Sequence, residues 1–171
     1  MTTSSTLADL CARTWERTLE LNPTLATICG DERFDDLLPD PGPAGRVARR
    51  ALAEEARAGA LAIEPAGLDE EERISRDLLA LIARQEIADD DLRDDLVGAV
   101  EQQGHQSLLP QFVQIQRADT PDRLERLLAR IEAYPALTSA VIDLLAEGRS
   151  AGLTAARVVA DRPDQLPLFE A

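Results

Sequence analysis

The sequence predicts an all-α protein, folded as an irregular bundle of about six or seven helices. Apolar residues make up 44% of the 171 residues and recur, in several segments, at the spacing of one helical face. Aromatic residues account for only 3%, so Leu, Ile, Val and Ala must build most of the core, and that mixture favours helices. A chain of this length can bury a core as one domain, which we place at residues 1–162, followed by a tail at 163–171.

The first third of the chain predicts two helices separated by a long connection. The first helix should end near Leu21, because Pro23 disfavours a helical conformation in the residue before it. It contains the single tryptophan, Trp15, which we expect to anchor the core. Residues 22–45 are rich in Pro, Gly and Asp and predict a partly ordered connection with one short helical turn. The Ala-rich residues 46–63 predict the next helix.

Residues 68–87 form a further predicted helix. Its first turn is acidic, which suits the positive end of the helix dipole. The expected buried face consists of four residues at helical spacing: Ile74, Leu78, Leu81 and Ile82. We expect this helix to lie at the centre of the bundle, together with the hairpin that follows it in the chain.

Residues 119–154 predict that helical hairpin. Pro121 suits the first helical position, where a missing N–H costs nothing, and Pro135 should interrupt the helix so that a second one begins. Gly148 and Gly152 should mark the end of the second helix, since glycine adopts the left-handed cap at low cost. Leu128 lies on the expected buried face, so Leu128→Asp should unfold the protein by burying an unpaired charge.

The charge and the cysteine content bear on partners and compartment. The formal net charge is -14, from 32 acidic and 18 basic residues, which argues against non-specific binding to nucleic acid or to an anionic membrane. The N-terminus has no basic, apolar pattern of a signal peptide, and no apolar run approaches the length of a membrane span. Cys11 and Cys29 lack metal-ligand spacing and are expected to be free thiols in a reducing cytosol. We therefore expect a cytoplasmic protein.

Residue types that catalysis commonly needs are scarce. There is one histidine, His105, and no lysine, so the usual zinc motifs, a Schiff base and a phosphate-binding lysine are excluded. We assign no catalytic residue, no metal ligand and no cofactor to this chain. The dense acidic run at 89–95 is interpreted as a solvated helix end. An enzyme that holds a metal with Asp89, Asp91 and Asp94 is a further hypothesis, which a chelator would test.

Two stretches resemble one bacterial family. Residues 23–40, PTLATICGDERFDDLLPD, resemble its opening pattern P-x-x-A-T-x-x-G-x-x-x-x-D-x-x-L-x-D. Residues 104–154 resemble a later segment, in which a G-x-x-x-x-L-P loop precedes T-x-x-D-x-x-x-x-x-x-R-L-x-x-x-P and L-x-x-G-x-x-x-G. The matching places in the later segment are occupied by Arg130, Pro135, Gly148 and Gly152, with Ile131 in place of the usual Leu. The family is known as domain of unknown function 885.

The resemblance implies a helical protein that is only part of a larger one. Members of that family are several times longer and resemble gluzincin-type zinc peptidases, with an H-E-x-x-P-G-H-like metal motif in the C-terminal half. This chain resembles only the N-terminal part, so zinc is expected only in the C-terminal half. His105 and Arg130 are expected to line a substrate channel or an interface, with an interhelical salt bridge as the alternative for Arg130.

Two functional hypotheses follow. The chain is the non-catalytic N-terminal helical portion of a metallopeptidase-like protein, and the missing C-terminal half packs on an apolar helix face. Alternatively, it is a self-contained helical module that binds a protein partner.

Overall fold

The protein is all-α in a computed structural model, which describes residues 3–97 and 105–154 and, apart from 105 and 106, their side chains. These residues contain no strand. They form six α-helices: α1 (Thr3–Leu21), α2 (Pro23–Ile28), α3 (Pro43–Ala62), α4 (Glu70–Leu92), α5 (His105–Ile115) and α6 (Pro121–Ser150). Single 3-10 turns lie at Glu32–Phe34, Pro65–Gly67 and Asp94–Leu96. The all-α prediction is confirmed. The domain boundary at 162 and the tail lie outside the described residues.

Helix α3 lies at the centre of the first half of the molecule, with α1 against one side and α4 against the other. Its buried face is made of small residues: Gly45, Ala53, Ala56 and Ala60. Small side chains let neighbouring helices approach closely, as at Gly59, where an added Cβ would come within 2.9 Å of a methyl carbon of Leu10. The predicted centre, formed by the 68–87 helix and a hairpin, is therefore wrong.

Helix α4 buries the face opposite to the one that the sequence predicted. Ala83 is the residue buried in its contact with α3, with Leu79 and Ile87 partly buried beside it. The four large residues of the predicted buried face are about half exposed or more: Ile74 61%, Leu78 51%, Leu81 50% and Ile82 49%. The spacing located an apolar face correctly. It could not show that the Ala-rich surface of α3 accommodates the smaller face of α4 instead.

Helix α6 is one continuous helix, so the predicted hairpin is wrong. Pro135 lies inside it and removes one backbone hydrogen bond, but the flanking residues are strong helix formers and none near the proline favours a turn. The hydroxyls of Thr138 and Ser139 donate to the carbonyls of Tyr134 and Pro135, at 2.9 and 3.1 Å. The helix length is therefore set by its caps, not by the proline.

The C-terminal cap of α6 was predicted correctly. Gly152 has a φ of 76°, in the left-handed region that glycine adopts readily, and the N–H of Leu153 donates to the carbonyl of Gly148 at 2.8 Å. Gly148 itself lies within the helix, where an added Cβ would come within 2.2 Å of the carbonyl oxygen of Leu96. The second glycine is thus a cap, and the first permits a close backbone contact.

Two further core assignments are wrong. Trp15 is 46% exposed, whereas Leu7, Leu10 and Leu19 of the same helix are buried. Leu128 is 48% exposed, and its neighbour Leu127 is buried instead. The basis for expecting Leu128→Asp to unfold the protein, the burial of Leu128, is therefore wrong.

Candidate functional site

Arg130 is the only charged side chain in the described part of the chain that is fully buried, at 0% exposure. It projects from α6 towards the loop between α2 and α3. Its Nε donates to the carbonyl of Leu37 at 2.9 Å, and an Nη2 hydrogen bond reaches the carbonyl of Phe34 at 2.7 Å. Two backbone carbonyls of one loop are therefore held by a single guanidinium.

The remaining contacts of Arg130 come from α2, from α5 and from Gln116, which directly follows α5. Its Nη1 donates to the hydroxyl of Thr27 on α2 and to the side-chain oxygen of Gln116, both at 2.9 Å. The guanidinium carbon lies 4.9 Å from the centre of the Phe112 ring on α5, within cation–π distance. We call Arg130 with Thr27, Asp35, Phe112 and Gln116 the Arg130 cluster.

Asp35 supplies the negative charge of this cluster. Its carboxylate is 3.8 Å from Nη2 of Arg130 and accepts a hydrogen bond from the Thr27 hydroxyl at 2.6 Å. Its backbone carbonyl accepts from the amide of Gln116 at 2.9 Å. Burial lowers the pKa of Arg130, and Asp35 and Asp36 oppose this effect. Because a guanidinium has a very high intrinsic pKa, Arg130 stays protonated.

Two more arginines continue this contact along α6. Arg123 donates to both carboxylate oxygens of Glu32, at 2.9 and 2.8 Å, and Arg126 lies 3.7 Å from the carboxylate of Asp36. The three arginines are spaced at i, i+3 and i+7, so they share one helical face. Together they attach residues 31–38, which the sequence presented as a loosely ordered connection, to the first half of α6.

The predicted site residues are thus placed differently from one another. Arg130 makes internal contacts. The alternative expected an interhelical salt bridge, but the ion-pair partner of Arg130 is Asp35, which lies in the connection between α2 and α3. His105 begins α5, and its side chain lies outside the described ones. Whether either residue lines a channel or an interface stays a prediction. The cluster itself was missed, although Asp35 and Arg130 both occupy positions of the family patterns.

The acidic run is only partly solvated. Asp90 accepts from Arg46 and Arg50 on α3, and its side chain is 11% exposed, so the interpretation as a solvated helix end is wrong for this residue. Hydrogen bonds from Arg46 and then Arg50 hold the pKa of Asp90 below its ordinary value. Asp91 pairs with Arg50 at 2.6 Å and stays largely exposed. The run therefore links α4 to α3.

A cleft of about 300 Å³ adjoins this ion-pair network, between the end of α1, α3 and the end of α4. Its charged lining includes Arg46, Arg49, Arg50, Glu86, Asp89 and Asp94. Burial, and secondarily Asp89, raise the pKa of Glu86. Within residues 3–97 and 105–154 no three His, Cys, Asp or Glu side chains are grouped so as to hold a metal ion, so the hypothesis based on Asp89, Asp91 and Asp94 gains no support.

Two exposed apolar surfaces are the other candidate sites. The α4 stripe consists of Ile74, Leu78, Leu81 and Ile82. The α6 stripe consists of Leu124 at 45% exposure, Leu128 at 48%, Ile142 at 59% and Leu145 at 41%. The α4 stripe lies opposite the face of α4 that packs on α3, whereas the α6 stripe lies beside the buried side of α6. Contiguous apolar patches of this kind commonly mark a contact with another protein surface.

The comparison with family models decides where the chain belongs. Residues 23–164 match the model described as bacterial protein of unknown function (DUF885). The chain belongs to this family. The match spans the whole Arg130 cluster and both apolar stripes. No curated protein and no solved structure matches the chain. No helix in the described ranges of this family member is long and apolar enough to cross a membrane.

Proposed function

We propose that this chain is the non-catalytic N-terminal helical portion of a longer, metallopeptidase-like protein. Its helices form one wall of the substrate-binding side, and the zinc site belongs to the C-terminal half. The observation that supports this proposal is the α6 stripe, because it leaves one apolar side of α6, the longest of the described helices, exposed.

Helix α6 exposes as much surface as expected for a helix bundle that lacks one of its layers. Helix α6 has 30 residues and so extends for about 45 Å. Only four of them are buried: Leu127, Arg130, Leu137 and Gly148. Fully burying an exposed large apolar side chain stabilises a protein by roughly 1.5–3 kcal/mol. The four residues of the α6 stripe are already about half covered, so a further helical layer would gain about half of that amount for each of them.

The Arg130 cluster gives α6 a fixed position before such a layer is added. Thr27, Asp35 and Gln116 hold the guanidinium from three different elements, so the first half of α6 cannot rotate without breaking several hydrogen bonds. A wall of a binding channel needs this kind of rigidity. Arg130 acts here as a positioning residue for α6 and residues 31–38.

The mass of the native protein in its source cells tests the proposal. An antibody raised against the 171-residue chain should detect a polypeptide several times heavier than 18.6 kDa. The heavier protein should contain zinc and hydrolyse peptides, and Leu128→Lys should reduce both its stability and its activity. A native mass near 18.6 kDa would overturn the proposal.

The alternative, a self-contained module that binds a protein partner, is favoured by one observation. No buried side-chain nitrogen or oxygen in the described part of the chain lacks a hydrogen-bond partner. The polar interior therefore needs no further polypeptide. A native mass near 18.6 kDa, together with a stable monomer at micromolar concentration, would support this alternative.

We also propose a cytoplasmic location without nucleic-acid or membrane partners. Cys11 and Cys29 are free thiols, which suits a reducing compartment. The net charge of -14 opposes attraction to polyanions and anionic lipid. Fractionation of source cells would test the location, and recovery with the membrane fraction would contradict it.

A further inference from the structure

The α4 stripe lies opposite the face of α4 that packs on α3. Ala83 is buried at 2% exposure, whereas Leu78, about half a turn round the helix from it, is 51% exposed. The stripe continues at helical spacing through Gln85 and Ala88 to Leu92, which is 74% exposed. From Ile74 to Leu92 the surface extends for about 27 Å, the length of a partner helix of about five turns.

The rim of this surface is acidic. Glu71 and Asp89 lie in line with the stripe at its two ends, and Glu70, Asp77 and Glu86 flank it. Asp77 has a side chain that is 69% exposed, and it accepts a hydrogen bond from Arg76 at 2.6 Å. Arg84, which is exposed, also flanks the stripe.

We propose that the α4 stripe is the docking site for a cationic amphipathic helix of a partner protein. The apolar face of that helix packs on Leu78 and its neighbours, and its Lys or Arg residues contact the acidic rim. Charge complementarity selects this occupant, because five carboxylates, of which Asp77 is paired with Arg76, against the guanidinium of Arg84 leave the rim negative. This inference does not rest on the proposed function and concerns a different helix.

A second copy of the chain fits the same surface poorly. Both ends of α4 are acidic, with Glu70 and Glu71 in the first turn and Asp89 and Asp91 in the last. Pairing two copies of α4, parallel or antiparallel, would therefore place carboxylates of one copy near carboxylates of the other. Like charges in such positions oppose association, so a basic partner is favoured over self-association.

A designed peptide tests the proposal with the full 171-residue chain. The probe is a fluorescein-labelled Leu/Lys helix of about 14 residues, with its leucines on one face, which spans about 20 Å. The affinity is measured by fluorescence anisotropy. Leu78→Gln with Leu81→Gln should weaken binding about tenfold or more, since each leucine loses apolar contact. The matched pair Leu124→Gln with Leu128→Gln, on the equally exposed α6 stripe, should change it less than about twofold.

A second set of variants tests whether the acidic rim contributes to binding of the peptide. Glu71→Gln with Asp77→Asn should weaken binding and flatten its salt dependence, while Asp122→Asn with Asp143→Asn, on α6, should leave both nearly unchanged. Equal loss in the α4 and α6 variants would overturn the proposal, since it would show general attraction to an acidic protein. Equal binding of a Leu/Glu helix of the same pattern would overturn it as well. So would a dimer in sedimentation that Leu78→Gln with Leu81→Gln dissociates, because a second copy would then be the occupant.

Discussion

The two halves of this molecule are held together by different kinds of interaction. The α1–α3–α4 unit has a core of apolar residues, with Leu7, Leu10, Ala60, Ile63 and Leu68 buried in one cluster. The unit formed by residues 23–38, α5 and α6 has Arg130 at its centre instead, bonded to carbonyl, hydroxyl and amide oxygens. Apolar packing is non-directional and tolerates small shifts, whereas hydrogen bonds to a buried charge require one geometry. The second unit is therefore the more specific and the more easily broken.

Replacing Arg130 should have the largest effect. Arg130→Met keeps much of the side-chain volume but leaves Asp35 buried without its cation and the carbonyls of Phe34 and Leu37 without their donor. Removing one partner from such a buried pair costs roughly 3–5 kcal/mol of unfolding free energy. Urea denaturation at pH 7 measures it. Arg126→Met, at a side chain that is 37% exposed, is the control and should cost less than about 1 kcal/mol.

Hydrogen exchange separates the two units in the same Arg130→Met variant. Amides of residues 31–38 should lose protection, while those of α3 and α4 keep it, because the apolar unit does not contain the substituted residue. Equal loss of protection in both units would show that they unfold as one, and the contrast between them would not hold.

The buried side of α6 provides the next test. Leu127 is 8% exposed and contacts the rest of the chain, whereas Leu128 is 48% exposed. Leu127→Ala should destabilise the protein by about 2–3 kcal/mol, and Leu128→Ala by less than about 0.5 kcal/mol. Thermal and urea melts of the two variants compare adjacent positions with the same residue type. A larger loss in Leu128→Ala would mean that the α6 stripe is covered in solution.

These cases show how far the sequence determined the fold. Spacing and caps predicted the helices well: α1 ends at Leu21, α3 (Pro43–Ala62) covers nearly all of the predicted 46–63 segment, and Gly152 is the left-handed residue at the end of α6. Periodicity also found the apolar face of α4. It could not find which face packs on α3, because that choice depends on the fit of small residues between two helices. The sequence also predicted that Pro135 ends a helix, although the helix continues through it.

The polar cluster was harder to predict for another reason. Asp35 and Arg130 are 95 positions apart, and an arginine two positions after Leu128 in an acidic, Arg-rich chain looks like any surface arginine. The available signal was that Arg130 shares a helical face with Leu127 and Leu137, both of which are buried. An arginine on an apolar face needs a carboxylate and carbonyl acceptors, and residues 31–38 are rich in carboxylates.

Two glycines compare the effect of a rigid backbone neighbour with that of a flexible side-chain neighbour. In Gly148→Ala the added Cβ meets the backbone carbonyl of Leu96, which cannot move without displacing the 3-10 turn, so we expect a loss of about 1–3 kcal/mol. In Gly59→Ala the Cβ meets only the flexible end of Leu10, and the gain in helix propensity offsets the contact to within about 1 kcal/mol. Urea midpoints of the two variants decide the matter. Equal losses would show that the apolar unit is as rigid as α6.

The ion pairs between α3 and α4 should have the smallest effect, visible only as a pH dependence. Arg46 and Arg50 lower the pKa of Asp90 in the folded protein below its ordinary value of 3.8. The pair therefore stabilises the fold fully above that value, and the stabilisation disappears as the pH falls through the lower folded pKa. Asp90→Asn should be less stable than the wild type at about pH 6, and this difference should shrink as the pH falls below 3.8. Asp122→Asn, at a side chain that is 79% exposed, should show little change across the same range. A constant gap between Asp90→Asn and the wild type at every pH would assign the loss to packing instead of charge, and the apolar unit would then depend on Asp90 for its shape alone.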